Sequence, residues 1–344
     1  MSDETLRLIE QTADDLFAAE SGAARAALAK GEWPEGAWQA FAATGLAQAA
    51  LPEDAGGAGL AAGLAVLRAA GRHAAPLPVA ETMMATLLCH AAGMEAPPGP
   101  LALSTTAAGE DGDGSTVRRV PWARFASAVA VVGPEGTLTL RTPADVVEGA
   151  NLAGEPRDDM ALSGPPAAAG TLPPDTDGTL LMALARAAQL RGAMEQALAM
   201  TVRYASEREQ FGRPLARFQA IQHHLAEIAG EAAASGAAVD AAAEARTPFA
   251  FAAAKARASQ AAGTIARLAH QVHGAIGYTA EHDLHHWTKR LWAWRDECGN
   301  EAHWWRVLGT DAGQGGGAAL WPMLVAAGTA GTDAAAAAGE GARP

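Results

Sequence analysis

The chain has 344 residues, 49% of them hydrophobic and only 5% aromatic, which is enough for two or three domains with real cores built from small, closely packed helices. With 25 Lys and Arg against 38 Asp and Glu, the formal net charge is −13, and no basic block stands out. Nucleic acid and anionic membrane surfaces are therefore excluded as expected partners, and no apolar run is long enough for a membrane span.

Residues 3–30 place Leu6, Leu8, Ile9, Leu16 and Phe17 at helical spacing. Trp38, Phe41 and Leu46 suit a short helix, and "LPEDAGGAG" reads as a loop. "LAAGLAVLRAAGRHAA" predicts a helix stopped at "PLPV", and "ETMMATLLCHAAGM" another. Residues 1–97 thus form an all-helical unit. From "APPGP" the character changes. Residues 98–176 are rich in Gly, Pro and Thr, and "LALST", "SAVAVVG" and "TLTLRT" read as strands of a small β domain. A long helix then starts near Asp175 or Asp177 and is broken by Gly212 and Pro214. Helices over 216–246 and 248–273 follow, with two shorter ones in "HDLHHWTKRLWAW" and "NEAHWWRVLG", and the 177–310 region reads as a four-helix bundle. Residues 311–344 are low-complexity and read as a flexible tail. The fold class expected is α+β, mostly α.

Cys89 and Cys298 stand alone, with no CxxC pattern, which suits a reduced cytoplasm. The start of the chain, "MSDETLRLIEQTADDLF", is acidic and amphipathic, unlike a signal peptide. His282 and His286 share a helical face, but no third ligand is near and no metal is expected. The tryptophans from 287 to 305 read as core and interface filling, and His223 and His224 as solvated helix surface.

Four stretches carry a resemblance. They are "GLAQAALPEDAGGAGL", "YASEREQFGRPLARFQAIQHHLAEI", "QVHGAIGYTAEHDLHHWTKR" and, more weakly, "NLAGEPRDD". In these, and in the order helical, small β, helical bundle over residues 1–310, the chain resembles the acyl-CoA dehydrogenase family of flavoproteins. The resemblance implies FAD-dependent α,β-dehydrogenation of an acyl-CoA thioester. It also implies a homo- or hetero-oligomer of such chains, and an electron-transfer flavoprotein as electron acceptor. The cofactor-binding residues it implies are Arg208, Gln210, Phe211, Gln219, Gln271, Gly274, Ala275 and Asn300, several of them reaching the FAD of a neighbouring subunit. Their chemistry suits that role. Arg208 is a forked, permanently charged phosphate donor, Phe211 offers a flat apolar face, Gln219 and Gln271 offer amides, and glycines at 274 and 277 allow close backbone approach.

The catalytic base is less regular. The family's reaction needs a carboxylate near the flavin to take a proton alpha to the thioester. Counting without gaps from Gly277, the usual Glu position falls on Cys298; Gly299 follows as the pattern requires, but the carboxylate stands one place early, as Glu297. The alternative position on the first bundle helix falls near Met182, which is no acid. Glu297 is the candidate base, with Glu301 and Asp296 behind it, and a one-residue offset turns a side chain by about 100° on a helix. The flavin-side loop of the middle domain has only a degenerate counterpart in "LALSTTAAGEDGDGST". Two readings stay open: an active dehydrogenase using Glu297, or a non-catalytic subunit that completes the FAD site of a homologous partner. A structural helical protein is the remote third.

Overall fold

The computed structural model describes residues 3–105 and 116–314, with 316–318, 321, 322 and 325. Four helices come first: α1 (Asp3–Leu28), α2 (Glu35–Ala43), α3 (Leu60–Arg72) and α4 (Val79–Ala91). Their apolar stripes meet in one core through Phe17, Trp38, Phe41, Leu67 and Met83.

Six short strands follow between residues 101 and 171. β1 (Leu101–Ser104), β3 (Ala128–Val132), β4 (Thr137–Arg141) and β6 (Ala168–Thr171) form one sheet in that order. β1 and β3 are parallel, and the other pairs are antiparallel. β2 (Thr116–Pro121) and β5 (Arg157–Ala161) pair separately, with an irregularity between Val117 and Val120 where Arg119 takes φ +53°. The period-two alternation of strands divides the sheet's side chains between two cores. Ala102, Val129 and Val131 face β2 and β5, meeting Val117, Val120 and Met160. Leu101, Leu103, Ala130, Leu138 and Leu140 face the helices and join the main core. The three runs expected as strands are β1, β3 and β4, and the structure adds β2, β5 and β6.

The long α5 (Gly178–Glu207) is capped by Asp177, whose carboxylate accepts from Thr179 N at 2.8 Å and Leu180 N at 3.0 Å. Then come the two-residue strands β7 (Glu209–Gln210) and β8 (Arg213–Pro214), α6 (Gln219–Ala245), α7 (Pro248–His273), α8 (Leu284–Asp296) and α9 (Glu301–Gln314). α7 is the central helix, packed against α5, α6, α8 and α9. Small residues set the spacing. A Cβ on Gly192 of α5 would lie 1.9 Å from Arg68 O, and one on Gly71 of α3 would lie 2.0 Å from Gln189 O, so α3 and α5 can touch backbone to backbone only because both positions are glycine. This contact fixes α5 against the N-terminal helices. The tail expectation lies largely outside the described residues; its first four residues, 311–314, belong to α9. Among the described residues no helix is long and apolar enough to cross a membrane.

Candidate functional site

Two separate places hold the residues singled out by sequence. The first is the end of the bundle where α5 and α7 finish and α6 begins. α5 ends at Glu207 and is capped by Arg208, whose N–H donates to Tyr204 O at 2.8 Å and whose carbonyl accepts from Leu215 N at 2.8 Å. Between these bonds β7 and β8 make a hairpin whose turn is Phe211 (φ +53°) and Gly212 (φ +78°). Two consecutive left-handed residues are the signature of a type I′ hairpin. Glycine enters that region freely; for a phenylalanine it is uncommon. Phe211 is nevertheless 92% exposed. The strained backbone thus holds a large ring out into solvent, a posture that core packing does not require. Phe218 meets Phe211 edge-on at 6.2 Å, and Arg213 lies over the Phe218 ring at 4.2 Å.

Gln219, the first residue of α6, is exposed, as is Gln271 in the last turn of α7. Gly274 ends α7 with φ 65° and ψ −145°, and a Cβ built there would meet nothing within 4 Å. Ala275, next in the 3-10 turn 274–278, is exposed too. Among the described residues the side chains of Arg208, Gln210, Gln219 and Gln271 have no hydrogen-bond or ion-pair partner. Arg208, Gln210, Phe211, Gln219, Gln271, Gly274 and Ala275 therefore share one end of the molecule, open and unpaired.

Asn300 lies elsewhere. It stands in the turn between α8 and α9, and its Oδ1 accepts from His303 N at 3.0 Å, capping α9. That turn is bound to Lys255, in the first half of α7, and the sixteen residues from there to Gln271 span about 24 Å along the helix. Lys255 is fully buried and all three ammonium protons are used, on Arg295 O (2.8 Å), Gly299 O (2.7 Å) and Ser259 Oγ (2.8 Å). Burial draws its pKa down to about 8. Trp304 Nε1 donates to Cys298 O at 2.9 Å, and Cys298 itself takes φ +55°. Burial pushes the Cys298 thiol up, away from thiolate.

This clamped turn delivers Glu297 into a charge network. Arg157 Nε donates to Glu297 Oε1 at 2.8 Å and Arg157 Nη2 to Oε2 at 2.8 Å, a bidentate pair. Asn151 Nδ2 reaches Oε1 at 3.1 Å, and Arg186 Nε lies 2.9 Å from Oε2. The network extends both ways. Arg186 also pairs with Glu81 of α4. Glu155 accepts from Arg290 at 2.9 Å and from Trp294 Nε1 at 2.9 Å, and lies 3.4 Å from Arg157. Glu81, Glu155 and Glu297 thus balance Arg157, Arg186 and Arg290, with Glu297 14% exposed in its side chain and the other five at 4% or less. Burial raises the Glu297 carboxyl, but Arg157 and Arg186 outweigh it and hold the pKa at about 2. Glu155 is lowered in the same way: burial opposes it, and Arg290 and Arg157 prevail.

The network joins residues of the first helical region, the strand region and the bundle, far apart in sequence. The signal available was weak: Arg186 is a charge inside the apolar run "LLMALARAAQL", one helical turn beyond Met182. Both places that the resemblance offered for a base, Met182 and the 297–298 turn, thus converge on it. Of the alternatives, Asp296 is exposed and pairs with Arg295 at 3.1 Å, while Glu301 is half-buried with one carboxylate oxygen lacking a partner. Of the histidines, His282 Nδ1 accepts from Leu284 N, and His285 Nδ1 donates to His282 O.

Comparison with known proteins agrees with this fold. Residues 3–96 match the family described as "Acyl-CoA dehydrogenase, N-terminal domain", and residues 179–296 match "Acyl-CoA dehydrogenase, C-terminal domain". The chain is 32% identical over 314 residues to acyl-CoA dehydrogenase IpdE2 of Mycobacterium tuberculosis, covering 83% of this chain and 91% of that one. It is 31% identical over 295 residues to acyl-CoA dehydrogenase FadE34 of the same organism, covering 77% and 40%. Among solved structures, a Tcur3481-Tcur3483 steroid ACAD variant superimposes with a TM-score of 0.77 at 27% identity, over 91% of this chain and 98% of that one. The ChsE4-ChsE5 complex from Mycobacterium tuberculosis gives 0.77 at 23% identity, over 90% and 98%, a likeness of fold. The chain belongs to the acyl-CoA dehydrogenase family, and its function is that of an acyl-CoA dehydrogenase-type oxidoreductase.

Proposed function

We propose that this chain is the catalytically reduced subunit of a heteromeric acyl-CoA dehydrogenase, completing the FAD site of a homologous partner. The carrying observation is the state of Glu297. Both its oxygens are engaged by Arg157, Arg186 and Asn151, and its pKa is about 2. A general base for carbon acids works best with a pKa near the operating pH and needs a free lone pair facing the substrate. Glu297 lies far from such a pKa, and both its oxygens already accept hydrogen bonds from Arg157, with Arg186 held against Oε2 as an ion pair, so it is a structural carboxylate. Cys298, half-buried and with its thiol pushed up away from thiolate, does not replace it.

The hairpin end fits the other half of the task. Arg208 is a permanent cation left unpaired for a pyrophosphate, Phe211 a ring held outward, and Gly274 a backbone position with open space beside it. Gln210, Gln219, Gln271 and Ala275 complete this set, which binds and orients the cofactor and shields it from water. When bound, FAD accepts the hydride that leaves the β-carbon of the acyl thioester. Asn300 stays with the chain's own disabled centre. The 27% likeness to a steroid enzyme named for two gene products supports a heteromer and a bulky acyl-CoA substrate; an electron-transfer flavoprotein as acceptor follows from the family resemblance. The chain expressed alone is expected to be colourless. Co-expressed with its homologous partner, it should give a yellow complex that bleaches with acyl-CoA under anaerobic conditions. A yellow single chain that bleaches on its own would overturn the proposal.

A further inference from the structure

The open end of the bundle rests on an unusual pair. His270 and His273 lie one turn apart at the end of α7, each 3% exposed. The chain has only two tyrosines, and each stacks on one of them. Tyr204 of α5 lies on His273 at 4.4 Å and 22°, and Tyr278 lies on His270 at 4.3 Å and 19°. Trp292 stacks on His270 at 5.4 Å, and His282 meets His273 edge-on at 4.7 Å.

Each imidazole has one anchored nitrogen. His273 Nδ1 donates to Ala269 O at 2.7 Å, and His270 Nε2 lies 2.9 Å from Thr288 Oγ1. His273 Nε2 has no hydrogen-bond partner among the described residues, and His270 Nδ1 faces the backbone of Gly277 without a well-aligned hydrogen bond. Burial keeps both rings neutral, with His273 brought down to about 4. Neutral flat rings can lie face to face with tyrosine at little electrostatic cost.

The pair touches both cofactor-facing elements. Tyr204 supplies the carbonyl that receives the Arg208 N–H. The 274–278 turn sits directly on the histidines, since a Cβ at Gly277 would come within 2.9 Å of His273 Cβ and 3.3 Å of His270 Nδ1. We propose that His270 and His273 are positioning residues that fix the Arg208–Phe211 hairpin relative to the Gln271–Ala275 turn, so that the two elements grip the partner's flavin as one surface. This rests on the functional reading above. The histidines do not touch the cofactor; they act through Tyr204, Tyr278 and Gly277.

The test uses the two tyrosines as reporters. The chain is labelled with 3-fluorotyrosine, its two 19F resonances are assigned by Tyr204→Phe and Tyr278→Phe, and the native assembly is scored for bound FAD. His273→Leu should move both resonances, and so should His270→Leu. Tyr278→Leu, a change at an exposed side chain that leaves the core intact, should move the Tyr204 resonance. Flavin affinity should fall about three- to tenfold in the leucine variants, as expected for loss of a ring pair, and return to within about twofold in His273→Phe, which keeps the stack. If each leucine variant moves only its own tyrosine, or if flavin is lost in Arg208→Ala but unchanged in the leucine variants, the positioning role is wrong. If Arg208→Ala itself leaves flavin unchanged, the functional reading falls instead, and the resonances alone decide whether the pair couples the two elements.

Discussion

The two ends of the bundle use the same residue types in opposite ways. Around Glu297, three arginines and three carboxylates are matched in ion pairs, five of the six groups buried and Glu297 nearly so. About 24 Å along α7 from the Lys255 clamp, Arg208 and its neighbouring amides are exposed, with no partner among the described residues. A buried ion network is costly to desolvate and lends specificity more than stability, whereas an unpaired surface arginine keeps its binding energy for a ligand. The contrast separates a centre closed to chemistry from an edge prepared for a partner, and each can be attacked separately.

The largest effect is expected at the closed end. Arg157→Ala leaves Glu297 and Glu155 short of a cation in the interior and should destabilise the chain by roughly 3–5 kcal/mol in urea unfolding. A loss below about 1 kcal/mol, the range of surface pairs, would mean that the network is solvated and loosely held. Acid should reach the same contacts. The folded pKa of Glu297 is about 2, below the ordinary carboxylate value near 4.3. Its contribution is therefore complete above about pH 4.3 and is lost as pH falls towards 2. Glu297→Gln should flatten the fall of the denaturation midpoint across that window; parallel curves for the two proteins would remove Glu297 from the account.

At the open end, Arg208→Ala should leave the chain's melting temperature unchanged while lowering FAD retention in the native assembly about 10- to 100-fold, the scale of a charge-assisted hydrogen bond. The smallest effect belongs to Phe211. Phe211→Gly relieves the left-handed strain and should raise stability by up to about 1 kcal/mol, with weaker flavin binding. Stabilisation without flavin loss would show that the exposed ring serves something else.

The two ends also differed in how far sequence could reveal them. The hairpin was legible because its parts are local: Arg208, Phe211, Gly212 and Gln219 fall within one short stretch, where an aromatic-glycine break between two helices is visible by eye. Most helices were legible through periodicity. The network was not legible, because Glu81, Glu155, Arg186 and Glu297 meet only after three regions have packed together. β2 and β5 escaped for a related reason. "TVRRVP" and "RDDMA" look like charged loop, yet Asp158 is fully buried, bound by Arg124 and Gly149 N. Their charges are satisfied by tertiary partners that no local pattern announces. Likewise, the sequence put a carboxylate one place before the family's base position, but only the arginines around it reveal what that carboxylate does.

The most direct test is the rate of anaerobic flavin reduction by acyl-CoA in the native assembly carrying Glu297→Gln in this chain, with folding verified by an unchanged oligomer. A structural carboxylate predicts a rate within about threefold of the wild type. A fall of 10²–10⁴-fold, the scale of losing a general base, would contradict the account and make Glu297 the catalytic residue.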